Sequence, residues 1–274
     1  MKEVPSGKLW RTIGITAVAA TLLMLTGFGY AVKDMLWPQG ETYIGESPAA
    51  PPPETGKLSA SSEIHVTAIG DSLTKGTGDA TGEGYVKQVM ALLREKWDKP
   101  VSMTNNLAVN GMRADRLAEL LRSDKGYEHA ISQSNLILFS IGGNDLFHLA
   151  TGTSASEATG EVDLDQLKAQ LPSGIERFKA VIERIHEINP DAHVVYMGLY
   201  NPFYDIEELR DGSLTIQQWN QEAYAIMHQY PNMTLVPTFD LFENTIGTYM
   251  SSDHFHPNHD GYAQIAARIV QSLD

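Results

Sequence analysis

The chain has 274 residues, with 20 basic and 34 acidic side chains, a formal net charge of −14 and no cysteine. An acidic surface repels phosphate backbones and argues against nucleic-acid binding; the missing cysteine excludes disulfide frameworks, thiolate metal sites and cysteine nucleophiles. Residues 1–58 hold five basic and five acidic groups, so the whole excess lies in residues 59–274, and a domain of roughly 215 residues buries a core without covalent staples.

Lys2, Lys8 and Arg11 precede an uncharged run from Ile13 to Val32, which Lys33-Asp34 closes. Twenty residues rising about 1.5 Å each span roughly 30 Å, the thickness of a bilayer core. Cations before such a run favour a cytoplasmic N-terminus, with the rest of the chain across the membrane. Residues 1–33 are therefore read as a signal-anchor that crosses the membrane with helix 13–32. The alternative is a signal peptide cleaved at the small-x-small stretch Gly29-Tyr30-Ala31. Either way the remainder lies outside the cytoplasm, membrane-attached or secreted. Residues 34–60, with the run PAAPPP, have no periodic apolar face and read as an extended linker. Residues 61–274 form the domain.

Within it, EIHVTAIG, VSMTNNLAV, NLILFSIGG, AHVVYMGL and MTLVPTF read as five short, largely buried strands. Helical patterns alternate with them: GYVKQVMALLREKW, ADRLAELLR, a long one from about Leu164 to Ile188, IQQWNQEAYAIMHQY, and a last one from about His259 to Leu273. Strand–helix alternation predicts a mainly parallel five-stranded sheet with helices on both faces, an α/β sandwich of three layers. Ligands of such sheets bind beyond the carboxyl ends of the strands.

Several polar features fall at that edge. Ser72 lies in GDSLTKGTGD, two residues past the first strand, in a stretch that matches neither a phosphate loop nor a G-x-S-x-G elbow. Gly111 follows the second strand in NLAVNGMRADRL, where the backbone turns toward a helix and a glycine leaves its N–H unobstructed. Asn144 follows the third strand in IGGNDLF. Taken singly, Ser72 and Asn144 are helix caps or turn residues and Gly111 is a routine turn. Together they share one edge of one sheet.

Gly70-Asp71-Ser72-Leu73, Gly111 after Asn106, Gly142-Gly143-Asn144-Asp145 and Asp253-x-x-His256 resemble, in order and approximate spacing, the four blocks of the SGNH or GDSL hydrolase family. The resemblance covers residues 63 to 274, and the wording GDSLTKGTGD is similar to that of bacterial secreted or membrane-anchored GDSL lipase/acylhydrolases. It implies a flavodoxin-like SGNH hydrolase fold and a serine ester hydrolase that needs no cofactor. It implies Ser72 as nucleophile, His256 as base and Asp253 as the partner of His256. It also implies an oxyanion hole made of the Ser72 and Gly111 backbone N–H groups and the Asn144 side chain. The chemistry agrees: a serine hydroxyl is a weak nucleophile until an imidazole, oriented through its other nitrogen, takes its proton.

The stretch SSDHFHPNHDGY also invites a metal site built from His254, His256 and His259. Their spacing of two and three differs from the i, i+4 pair of a helical zinc site. An aspartate three residues before a histidine reaches its ring across one turn, so Asp253 is assigned to His256. Asn258 is the expected N-cap of the last helix, with His259 and Asp260 in its first turn and His259 solvated. The family spans lipases, lysophospholipases, thioesterases and carbohydrate acetylesterases, so the substrate is a small-molecule, lipid or glycan acyl ester, with a cell-wall O-acetyl ester as the alternative. Leu146 to Leu167 is expected as a long insertion, a flap over the site or a solvated loop. Phe203 and Tyr204, after the fourth strand, are candidate pocket residues. The sequence leaves the oligomeric state open.

Overall fold

The computed structural model describes residues 6–36, 58–151 and 163–273. The chain divides into two units, Met1–Pro51 and Pro52–Asp274. In the first, helix α1 spans Ser6–Leu36, and its section Trp10–Tyr30 is long and apolar enough to cross a membrane, with a mean hydropathy of 1.7. Most of the expected linker, 37–57, lies outside the described residues.

The second unit is a parallel sheet of five strands in the order β2-β1-β3-β4-β5. They are β1 Ile64–Gly70, β2 Val101–Asn106, β3 Leu136–Ser140, β4 His193–Met197 and β5 Met233–Val236. Each of the five expected strands is present. Successive side chains of a strand point to opposite faces, and the core divides accordingly. Ile64, Val66, Ala68, Leu136, Leu138, Val195 and Met197 join one apolar cluster. Their alternates Ile69, Ile137, Phe139, Val194 and Tyr196 join the other. The first cluster is closed by α3 (Gly84–Trp97) and α11 (His259–Ser272), and the second by α4 (Ala114–Ser123), α5 (Lys125–Ser132), α7 (Leu164–Ile188) and α8 (Gly212–Met227). Phe139, Tyr196 and Trp219 are fully buried there, and burying each large apolar side chain contributes about 1.5–3 kcal/mol.

Several elements depart from the sequence expectation. β2 is an edge strand, and only its first residue, Val101, is buried. Helix α8 starts at Gly212, one turn before the expected Ile216. Of the expected 146–167 insertion, the first part is helical, because α6 runs Gly143–Thr151; residues 152–162 lie outside the described residues. The helices α2 (Ser72–Lys75), α9 (Phe239–Glu243) and α10 (Ile246–Tyr249) are too short to show a periodic face, and α5 escaped for the same reason.

The strand order places the site. From β1 the chain adds β2 on one side and then crosses to add β3 on the other. The connections leaving β1 and β3 then diverge to opposite faces, which opens a crevice at their carboxyl ends. Ser72 follows β1 and Asn144 follows β3.

Candidate active site

Ser72 opens α2, immediately after the N-cap Asp71, whose carboxylate accepts from Leu73 N–H at 3.1 Å. The turn is drawn tight against β3. Gly70 has φ +117°, and a Cβ there would lie 2.0 Å from the Ser140 carbonyl oxygen, so a side chain is excluded. Below the turn lies a buried polar network. Ser140 Oγ donates to Asp71 Oδ1 at 2.5 Å and accepts from Thr74 N–H at 3.0 Å, and Thr74 Oγ1 meets Tyr85 Oη at 2.7 Å. Burial pushes the Asp71 pKa up, against the opposing hydrogen bond from Ser140. A satisfied buried network of this kind rigidifies what it holds, and here it holds the backbone of Ser72.

His256 arrives from the loop between α10 and α11. That loop is closed by an antiparallel bridge between Met250 and Pro257 and by Ser251 N–H donating to the His256 carbonyl at 2.8 Å. One carboxylate organises it. Asp253 Oδ1 accepts from the backbone N–H groups of Phe255 and His256, each at 2.9 Å, and from Ser251 Oγ at 2.8 Å. Its Oδ2 lies 2.7 Å from His256 Nδ1. Partial burial pushes the Asp253 pKa up, but these hydrogen bonds outweigh it and hold the group at about 2. The other ring nitrogen, His256 Nε2, lies 2.8 Å from Ser72 Oγ. Both Ser72, 6% exposed, and His256, 2% exposed, are withdrawn from bulk water. Asp253, His256 and Ser72 therefore form one continuous hydrogen-bonded chain, and hydroxyl, imidazole and carboxylate in that order can move a proton off the serine.

Gly111 sits in the loop that crosses the carboxyl end of β1, where Val109 N–H donates to the Gly70 carbonyl at 2.9 Å. Its φ is +74°. Asn144 Nδ2 donates to the Met112 carbonyl at 3.0 Å. An amide nitrogen carries two hydrogens, and this bond pins the group beside the Gly111 loop. Gly111 and Asn144 line one cavity.

The three histidines are not brought to one point. His256 faces Ser72, and His254 is exposed with φ +53°. His259, expected as a solvated helix residue, is half-buried, with Nδ1 3.4 Å from Asp79 Oδ2 and 3.2 Å from Thr81 Oγ1. Asn258 caps α11 by accepting from Gly261 N–H, as expected. Of the two candidate pocket aromatics, Phe203 packs at 5.7 Å on Phe147 and 6.1 Å on Phe255, whose ring lies 5.0 Å from that of His256. Tyr204 instead bonds Glu243 and packs on Phe239.

Sequence reasoning missed the supports of the site: Ser140, Thr74 and Tyr85 beneath Ser72, Tyr200, whose hydroxyl donates to the Phe255 carbonyl, and Asp145. Asp145 accepts from Ala114 N–H at 2.9 Å and lies 3.4 Å from Arg177 Nη1. Its carboxylate stands next to Asn144 in the quoted block, and that adjacency was the available signal.

Residues 68–264 match the GDSL-like lipase/acylhydrolase family. The uncharacterized protein YpmR of Bacillus subtilis is 33% identical over 215 residues, 77% of this chain and 81% of that protein. The spore germination lipase LipC of Bacillus licheniformis is 25% identical over 211 residues, 75% and 94%. The crystal structure of the lipase Lip_vut3 from a goat rumen metagenome superimposes with a TM-score of 0.65 at 21% identity, over 77% of this chain and 97% of that one. That likeness establishes the α/β fold.

Proposed function

The chain belongs to the GDSL-like lipase/acylhydrolase family and is a carboxylic ester hydrolase; from that premise we propose that it cleaves acyl esters outside the cytoplasm, with Ser72, His256 and Asp253 as its triad. The observation that carries this reading is the chain of contacts from Asp253 through His256 to Ser72, 2.7 and 2.8 Å long. His256 Nε2 takes the Ser72 proton as Oγ attacks the ester carbonyl. The carbonyl oxygen becomes an oxyanion and accepts from the Ser72 and Gly111 backbone N–H groups and the Asn144 amide. One such donor typically contributes about 2.7–4 kcal/mol to the transition state. As the tetrahedral adduct collapses, the C–O bond to the alcohol breaks and the imidazolium protonates the departing oxygen. Water, deprotonated by His256, then releases the carboxylic acid from the acyl-serine. Asp253 holds the imidazole tautomer with its proton on Nδ1 and stabilises the imidazolium.

The extracytoplasmic placement rests on Lys2, Lys8 and Arg11 before an apolar helix of membrane-spanning length. Hydrolysis of a series of acyl esters by wild type and by Ser72→Ala tests the chemistry. Equal rates on every ester tried would defeat it. Protease accessibility of the domain on intact cells tests the placement.

A further inference from the structure

The turn that follows α2, Gly76 to Asp79, reaches the nucleophile, the base and the Gly111 loop. The backbone N–H groups of Gly76 and Thr77 donate to the Ser72 carbonyl at 3.1 and 3.0 Å, which fastens the turn to the backbone of Ser72. Thr77 Oγ1 donates to Asn110 Oδ1 at 3.0 Å, one residue before Gly111. Gly78, with φ +94°, lies against the loop that carries His256. A Cβ there would stand 2.7 Å from His256 Cβ and 2.6 Å from the Pro257 carbonyl oxygen. It would also stand 3.1 Å from Ser251 Oγ, the hydroxyl that bonds Asp253.

The turn is itself held in place. Tyr262 of α11, fully buried, donates from Oη to the Thr77 carbonyl at 2.7 Å. The buried Asp79 carboxylate accepts from Thr81 N–H and Thr81 Oγ1, each at 2.8 Å, and from Gly84 N–H at 2.9 Å. His259 adds a longer contact at 3.4 Å. These bonds close residues 76–84 on themselves, and a Cβ on Gly84 would lie 2.7 Å from Gly76 Cα. A satisfied polar cluster of this kind resists displacement. Carbon atoms in contact stand about 3.5–4.0 Å apart, so a methyl group at Gly78 moves His256 by about 1 Å relative to the turn. We propose that Gly78 and Asp79 are positioning residues for the base: Asp79 fixes the turn, and the bare backbone of Gly78 sets where His256 stands against Ser72. The proposal rests on the assignment of Ser72 as nucleophile and His256 as base. It goes beyond that assignment by locating the control of their 2.8 Å separation in the turn that leaves Ser72.

The test uses the full-length chain in detergent with p-nitrophenyl acetate. Gly78→Ala is compared with Gly82→Ala, an exposed position of the same loop with φ +69°, where a Cβ meets nothing within 4 Å among the described residues. Both variants put alanine on positive-φ backbone and lower Tm, but only the first crowds His256. The expected kcat of Gly78→Ala falls by about 100-fold with KM within about twofold, as a misplacement of about 1 Å at a reacting group does. Gly82→Ala keeps kcat within about twofold of wild type. Asp79→Ala lowers kcat by about tenfold, and Asp79→Asn, which keeps an oxygen for Thr81, recovers most of that loss. Wild-type kcat in Gly78→Ala would overturn the proposal. So would an equal kcat loss in Gly82→Ala, or a rise in KM at unchanged kcat, which would make the turn a substrate contact. If circular dichroism shows Gly78→Ala unfolded, Asp79→Ala decides, and wild-type kcat there overturns the proposal. Failure of the underlying reading looks different: wild type is then inactive on the ester, or its activity survives Ser72→Ala or His256→Ala.

Discussion

Asp145 accepts a hydrogen bond from the backbone N–H of Ala114 at 2.9 Å, while its neighbour Asn144 donates to the carbonyl of Met112 at 3.0 Å. Two adjacent residues at the start of α6 thus grip both ends of the three-residue segment that follows Gly111. The relative placement of the Gly111 N–H and the Asn144 amide depends on this grip. With the proposed oxyanion hole of Gly111 and Asn144, Asp145→Ala should lower kcat by about tenfold or more with KM little changed, since an oxyanion hole acts in the transition state. Asp145→Asn keeps an acceptor for Ala114 N–H and should retain most of kcat. Steady-state kinetics on the folded variants, verified by circular dichroism, checks both.

The same carboxylate predicts a pH dependence of stability. Burial pushes the Asp145 pKa up to about 6, although Ala114 N–H and Arg177 oppose the rise. The folded state therefore holds a proton here that the unfolded chain, with a pKa near 4, has released. Stability from this group is present below about pH 4 and is lost as pH rises through about 6. Asp145→Asn removes that loss. Its Tm relative to wild type should be higher at pH 7.5 than at pH 4.5, and an offset independent of pH would contradict the assignment.

Ser72→Ala and His256→Ala should each reduce kcat by about three orders of magnitude or more, and the double variant should be little worse than either. Residues acting as one unit lose their effect together. Additive losses would mean that the 2.8 Å contact between them is not used in turnover.

Asp253 has two tasks, and they separate by substitution. Asp253→Asn retains a side-chain oxygen for the N–H groups of Phe255 and His256, but offers an amide donor to His256 Nδ1, which favours the wrong tautomer. The expected kcat loss is about 10²–10⁴-fold with the fold intact. Asp253→Ala should in addition loosen the 250–257 loop and lower Tm. With its pKa held at about 2, Asp253 contributes stability above about pH 4 that is lost as pH falls toward 2. Acid titration of the wild type beside Asp253→Asn reads this contribution directly.

His254 and His259 are expected to be dispensable for turnover. His254 occupies left-handed backbone, φ +53°, so His254→Gly should preserve activity and raise stability by up to about 1 kcal/mol. His259→Ala removes a contact of Asp79, which also accepts from Thr81 and Gly84 N–H. It should change Tm modestly and kcat little. Loss of turnover in either variant would mean that the histidine cluster has a role beyond His256.

What the residues declared by themselves was local. Short apolar, β-branched runs marked all five strands, because β1, β3 and β4 are buried on both faces, and the 3.6-residue period marked α3, α4, α7, α8 and α11, because burial on one face leaves its imprint in the order of residues. The pairing of Asp253 with His256 was legible for the same reason, since three residues around one turn determine where two side chains meet. Helices α2, α5, α6, α9 and α10 were not legible, being too short or too close to a strand end to show a face. The decisive contact was of another kind. Ser72 and His256 stand 184 residues apart in the chain. Nothing in either segment specifies the other; their meeting depends on the order β2-β1-β3-β4-β5 and on the bridge that closes the loop after α10. Ser140 beneath Asp71, Asp145 beneath Ala114 and the rings of Phe147 and Phe203 packed on Phe255 are likewise neighbours through packing alone. Sequence periodicity reports which face of an element is buried, but the partner on that face is decided only when the layers close.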